Sequence, residues 1–203
     1  MAAQSSPPNT TPALPILTSV LEEFAARLNI DGSSRILVTD PTLARHLVEM
    51  TRPIATAYGP KFTIAVASAG PQQTPSATSG EGDLGPNVTT ELITAMESKM
   101  DHFTHALADV SLASGKTCME IMKWARYALQ PKGILVAVAL LKTGDGRELG
   151  ERLRGESKGR VGGLGDVLDF AGFERGKVRV MERGEGEGRA EVVLAMKWDQ
   201  LTA

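Results

Sequence analysis

Residues 118–141 read Cys118-Met-Glu-Ile-Met-Lys-Trp-Ala-Arg-Tyr-Ala-Leu-Gln-Pro-Lys-Gly-Ile-Leu-Val-Ala-Val-Ala-Leu-Leu141, and the pattern changes period half-way through. Cys118, Ile121, Met122, Ala125, Ala128 and Leu129 recur at helical spacing, with Glu120, Lys123 and Arg126 between them. That is an amphipathic helix with one face on an apolar core. Gln130 stands before Pro131, which disfavours helix, and Gly133 frees the backbone to turn. Ile134 to Leu141 is then apolar at every position. A strand buried on both faces reads this way, and such strands sit centrally in parallel sheets covered by helices.

The pattern before this stretch alternates in the same manner. Residues 1–13 are rich in Ser, Pro, Asn and Thr and read as a disordered tail, leaving 14–203 as one α/β domain. Leu17, Val20, Leu21, Phe24, Ala25 and Leu28 form the stripe of a first helix. Arg35 to Val38 is a short strand, and Pro41 opens a helix buried through Leu43, Leu47, Val48, Met50 and Ile54. Phe62 to Ala67 reads as a second strand. Residues 69–89, rich in Gly, Pro, Ser and Thr, read as a mobile loop. A weak helix is expected over Thr90 to Met100 and a strand over Phe103 to Val110.

After the central strand, Thr143 to Gly163 is charged and glycine-bearing and reads as surface. Leu164, Val167, Leu168 and Ala171 make a short helix stopped by Gly172. Lys177 to Met181 and Ala190 to Trp198 make a hairpin with a polar, glycine-rich tip. The expected fold is therefore a three-layer α/β sandwich with a mostly parallel sheet and a C-terminal antiparallel hairpin. A strand within 80–90 would be short or missing.

Composition excludes several function classes. The formal net charge of −2 gives no electrostatic reason for nucleic acid or an anionic membrane as partner. A single cysteine, Cys118, excludes an internal disulfide framework, and its place on an apolar helix face makes it a buried inert thiol. No apolar run reaches the ~20 residues of a membrane-spanning helix. The first basic residue is Arg27, so the start lacks a secretory or mitochondrial pattern. A cytoplasmic location is expected, with the nucleus as the alternative.

The element order and three motifs resemble the class I S-adenosylmethionine-dependent methyltransferases, a Rossmann-like fold. Ala128-Leu-Gln-Pro-Lys-Gly-Ile-Leu-Val136 is similar to that family's entry to strand 5. Leu164-Gly-Asp-Val-Leu-Asp-Phe-Ala-Gly-Phe173 is similar to the helix before its strand 6, and Val192-Val-Leu-Ala-Met-Lys-Trp198 to its last strand. Met100 to Asp109 matches strand 4 more loosely. The resemblance implies S-adenosylmethionine as cofactor and methyl transfer as activity. It places Asp40, Ser68, Asp83 and Asp109 as the candidate cofactor-binding residues, with no metal expected. No catalytic residue is assigned.

The cofactor motifs themselves depart from the family. Its glycine-rich turn after strand 1 is replaced by Val38-Thr-Asp-Pro-Thr-Leu-Ala-Arg-His46, which holds no glycine. Its acid at the end of strand 2 is replaced by Val66-Ala-Ser-Ala-Gly70. Glu81-Gly-Asp-Leu84 stands where an acidic loop would meet adenine. Three readings follow. One is a methyltransferase with a divergent cofactor turn. Another is a non-catalytic pseudo-methyltransferase that binds a protein partner. The third is a biosynthetic enzyme of this fold that acts on a small molecule without methyl transfer. Non-catalytic members of the superfamily exist, among them the N-terminal domain of anamorsin-type iron–sulfur assembly proteins.

Other side chains offer less. Asp101, His102, His105 and Asp109 crowd strand 4, but residues three apart on a strand face opposite ways. A hydrogen-bonded core histidine, a general base and a metal ligand are weighed for His105 in that order. Asp109 and Ser111 are candidate helix caps. Gly159-Arg-Val-Gly-Gly-Leu-Gly165 does not follow a strand and so fails as a phosphate cradle. Met96, Met100, Met119, Met122 and Met181 read as core filler, and Tyr127 and Trp198 as packing or partner anchors.

Overall fold

The computed structural model describes residues 13–39, 41–51, 61–66, 88–92, 99–154 and 161–198. Seven strands form one sheet: β1 (Arg35–Val38), β2 (Lys61–Val66), β3 (Val88–Leu92), β4 (Phe103–Asp109), β5 (Leu129–Leu140), β6 (Val178–Arg183) and β7 (Ala190–Met196). Their order is β3-β2-β1-β4-β5-β7-β6. All neighbours pair in parallel up to β5, whereas β7 runs antiparallel to both β5 and β6. This is the mostly parallel sheet with the expected hairpin. The hairpin's second strand is inserted beside β5, so β6 becomes the edge.

Helices α1 (Ala13–Glu23), α2 (Ala25–Leu28) and α3 (Pro41–Thr51) precede β2, and α4 (Gly115–Ala128), α5 (Leu149–Arg154) and α6 (Leu164–Phe170) flank β5. The alternation of β5 assigns them to two faces. Leu135, Ala137 and Ala139 pack with α4, α5 and α6. Val136, Val138 and Leu140 pack with α1, α2 and α3. Every residue from Leu135 to Leu140 is buried, as a strand between two helical layers requires.

Several boundaries differ from the expectation, each for a physical reason. Ala13 is fully buried and opens α1, so helix starts within the expected tail. Phe24 interrupts the first helical stripe, and Asn29 closes α2 in the left-handed region at φ 49°. Thr90 to Leu92 are strand and not helix. The β-branched run of Val88-Thr-Thr pairs with the free edge of β2, from Phe62↔Val88 to Val66↔Leu92, and sheet pairing overrides the weak helical pattern. Val88 and Thr89, the last two residues of the expected loop, belong to β3, and its other residues, 69–87, lie outside the described residues.

The Pro131-Lys-Gly133 step is the irregular start of β5 itself. Phe103 pairs with Leu129 but His105 pairs with Ile134, so four residues loop out opposite Thr104. Lys132 takes φ 66°, and the amides of Lys132 and Lys197 bond the carbonyls of Lys197 and Gly133. Helix α5 lies inside the stretch expected to be surface. It buries Leu149, Arg152 and Leu153, an i, i+3, i+4 set too short to stand out among charges and glycines.

Short α6 has no side-chain cap of its own. Glu191 on β7 reaches its first turn and accepts the amide of Leu164 at 2.5 Å. A side chain at Gly163 would strike this carboxylate, with a Cβ only 2.6 Å from Oε2. Burial pushes the Glu191 carboxyl up, while the amides of Leu164 and Gly165 pull it down.

Candidate functional site

In an open α/β sheet the ligand place lies beyond the C-terminal ends of the parallel strands. Here those ends are Val66 of β2 and Leu92 of β3 on one side, and Val38 of β1, Asp109 of β4 and Leu140 of β5. Backbone bonds continue past them, from the Thr39 amide to the Leu107 carbonyl at 3.2 Å and from Val110 to Val138 at 2.9 Å. Asp109 accepts the Ser111 amide at 2.9 Å, which folds the chain sharply off β4. Ser111 is buried, and its hydroxyl accepts the Leu140 amide at 3.1 Å. Neither residue caps α4. Ser114 does, accepting the Thr117 amide at 3.3 Å.

Of the four candidate cofactor residues, the structure places Asp109 at this end of the sheet. Asp40, Ser68 and Asp83 lie outside the described residues. What stands beside Asp109 is the first turn of α1. Ala13, Leu14 and Leu17 from α1, Thr42 and Leu43 from α3, and Val138 from β5 enclose with Asp109 a space of about 10 Å³. That holds about one water molecule. Pockets for cofactor-sized molecules have roughly 300 Å³ or more. This space by itself is too small for S-adenosylmethionine, and the turn residue Asp40 and the segments that follow β2 and β3 lie outside the described residues. One atom points the other way: the Thr39 hydroxyl is buried at the end of β1 without a hydrogen-bond partner.

The remaining titratable candidates are structural. His105 lies near the N-terminal end of β4, the far end from Asp109. Its Nε2 lies 2.7 Å from the Leu28 carbonyl and so carries the proton, and Nδ1 lies 2.8 Å from the Thr104 hydroxyl. Asp101 pairs with Lys197, and His102 meets the ring of Phe103 edge-on at 5.0 Å. The four residues thus disperse, and among the described residues no three His, Cys, Asp or Glu side chains come together. Burial pushes the Cys118 thiol up to about 12, so it is the inert thiol expected. The charge of Arg152 opposes that shift. Arg152 itself is buried, donating to the carbonyls of Leu140 at 2.7 Å and Arg147 at 3.1 Å, and so ties down the loop after β5. Met122 and Met181 are core residues, whereas Met100 is 60% exposed and corrects the core reading; Met96 lies outside the described residues.

His105 carries a pH prediction. Burial lowers its pKa, against the Leu28 carbonyl bond and the charge of Asp31, which raise it. The unfolded chain then binds the proton more tightly. Stability contributed by neutral His105 is full above its ordinary value of about 6.5 and is lost as pH falls through the lowered folded value. Urea unfolding between about pH 7.5 and 5 should show this loss, and His105→Gln should flatten it. An unchanged slope in the variant would assign the dependence elsewhere.

No family model matches the chain, and no curated protein matches it. Solved structures do. The CMeT domain of citrinin polyketide synthase superposes with a TM-score of 0.63 at 13% identity, covering 92% of this chain and 52% of that one. The CurJ carbon methyltransferase gives 0.60 at 16%, covering 94% and 56%. This is the class I methyltransferase-like fold. The chain spans about half the length of those two methyltransferase chains. SpnF, a 4+2 cyclase, is also similar, with a TM-score of 0.56 at 16% identity and coverage of 89% and 80%. Identities this low speak for the methyltransferase-like fold and not for an activity.

Proposed function

We propose that this chain is a non-catalytic methyltransferase-like domain that works by binding a protein partner. The observation that carries this reading is the space of about 10 Å³ where the first turn of α1 packs between Asp109 and α3. The turn between β1 and α3 adds to it, since Thr39-Asp40 offers no glycine for close backbone approach. A fold outlasts the loss of a cofactor because the sheet and its two apolar layers do not depend on the ligand. Neither nucleic acid nor a membrane is proposed as partner. Among the described residues no helix is long and apolar enough to cross a membrane.

A second reading, methyl transfer with an open form of the α1 turn, is favoured by the unpaired Thr39 hydroxyl. Thermal unfolding with S-adenosylmethionine or S-adenosylhomocysteine separates the two. A ligand bound at about 10 µM would add about 2.7 kcal/mol at about 1 mM. The non-catalytic reading expects no shift. A shift of several degrees with either ligand favours the second reading.

A further inference from the structure

Strand β6 ends the sheet, and among the described residues no strand pairs with its outer edge. It pairs with β7 without a register shift, from Val178↔Ala195 to Arg183↔Ala190. Natural sheet edges are usually blunted by a proline, a bulge or a projecting charge. β6 has neither proline nor bulge, and its charges are drawn back onto its own chain. Arg183 donates to both carboxylate oxygens of Glu23 at 3.0 Å, and Glu182 accepts from Arg189. The Arg179 guanidinium lies over Phe24, 5.1 Å from the ring centroid.

The ladder decides which backbone groups face outward. The Leu141 amide bonds the Arg189 carbonyl and the Lys197 amide bonds the Gly133 carbonyl, so odd-numbered residues of β7 face β5. Even-numbered residues of β7 then face β6, where their partners are Arg179, Met181 and Arg183. Val178, Val180 and Glu182 therefore turn their backbone groups away from β7. The Val178 amide bonds back to the Arg175 carbonyl, and the Glu182 carbonyl takes a long bond of 3.4 Å from Arg183. The Val180 amide and carbonyl and the Glu182 amide line the open edge.

The two faces of this edge differ. Val178 and Val180 lie on the α6 face, and Val180, beside Gly165, is 47% exposed. Arg179 lies on the α1 face. Lys177, at the start of the strand, stands 4.4 Å over the ring of Trp198. Neither cation makes an ion pair with a described residue. An aromatic ring fixes the place of a cation and leaves its charge whole.

We infer that β6 takes up an extended acidic peptide segment as a further antiparallel strand, with acidic side chains beside Arg179 and apolar ones on Val180. This rests on the partner-binding reading and names the surface and the kind of partner. Main-chain bonds supply affinity in such strand addition, and alternate side chains select the sequence. A second copy of this chain fits worse, since two-fold pairing would set Arg179 and Arg183 of both copies on one face.

The test is fluorescence anisotropy of a short labelled peptide of alternating Val and Glu, titrated with the full chain. The expected result is saturable binding that a peptide of alternating Val and Lys does not show. Val180→Pro removes an outward amide and no ladder bond to β7, so it should weaken binding about tenfold. Arg179→Glu should do the same, and Lys61→Glu, on β2, should leave binding unchanged. In antiparallel addition the peptide residues bonded to Val180 share its face. N-methylation of the peptide's valines should therefore abolish binding, and N-methylation of its glutamates should not. Absence of saturation, equal binding of the lysine peptide, or binding kept after valine methylation would overturn the inference. So would a dimer of the chain that Val180→Pro dissociates, which gives the edge to a second copy. A thermal shift with S-adenosylmethionine counts instead against the partner-binding reading itself.

Discussion

Gly115→Ala should destabilise the protein by about 2–3 kcal/mol, the cost of overpacking a tight contact. At this chain length that lowers the melting temperature by roughly 5–10 °C. Gly115 is the first residue of α4, and its backbone lies against that of α5. A Cβ there would sit 2.1 Å from the Leu153 carbonyl oxygen and 2.8 Å from its carbon. Both are backbone atoms, so no rotamer change relieves the clash. The two helices must separate, and both are anchored in the same core, α4 through Cys118, Ile121 and Met122 and α5 through Leu149 and Leu153. Gly144→Ala is the control. Nothing lies within 4 Å of a Cβ at that position, and its change should stay within about 0.5 kcal/mol. Equal melting temperatures for the two variants would show that α4 and α5 do not meet as described.

Lys197→Met should cost about 2–3 kcal/mol while keeping the volume of the stem. The lysine side chain is 7% exposed, and its ammonium donates to Asp101 at 2.5 Å and to the Leu129 carbonyl at 2.7 Å. Asp101 is 40% exposed at its side chain, so water takes over part of its loss, and the figure lies below that of a fully buried pair. Leu129 is fully buried and its carbonyl loses this donor. The contact joins the ends of β7 and β5 to the turn before β4, where Asp101 holds φ 52°. A double-mutant cycle with Asp101→Asn should give a coupling well above the few tenths expected of independent sites. Additive effects would assign the loss to the Leu129 contact alone.

The fold was legible where local pattern and tertiary role agree. Ile134 to Leu141 is apolar at every position because both faces of β5 are covered. The hairpin was legible because a glycine-rich tip joins two apolar runs. What escaped was made by partners distant in the chain. Strand β3 exists through the edge of β2, and α6 is capped by Glu191, 27 residues away. Helix α5 has too few apolar residues to rise above the charges around it.

The candidate site was legible in part. The glycine-free turn after β1 and the place of Asp109 at a strand end were both readable from residues. The packing of Ala13, Leu14 and Leu17 against Asp109 was not, because the two segments lie almost a hundred residues apart and leave no shared spacing.

The proposed loss of the cofactor means that the ends of β1, β4 and β5 should take up no S-adenosylmethionine. Isothermal calorimetry with S-adenosylmethionine and S-adenosylhomocysteine tests it most directly. The expected result is no binding heat at millimolar ligand. Stoichiometric binding in the micromolar range would contradict the claim and establish that the α1 turn yields to the cofactor.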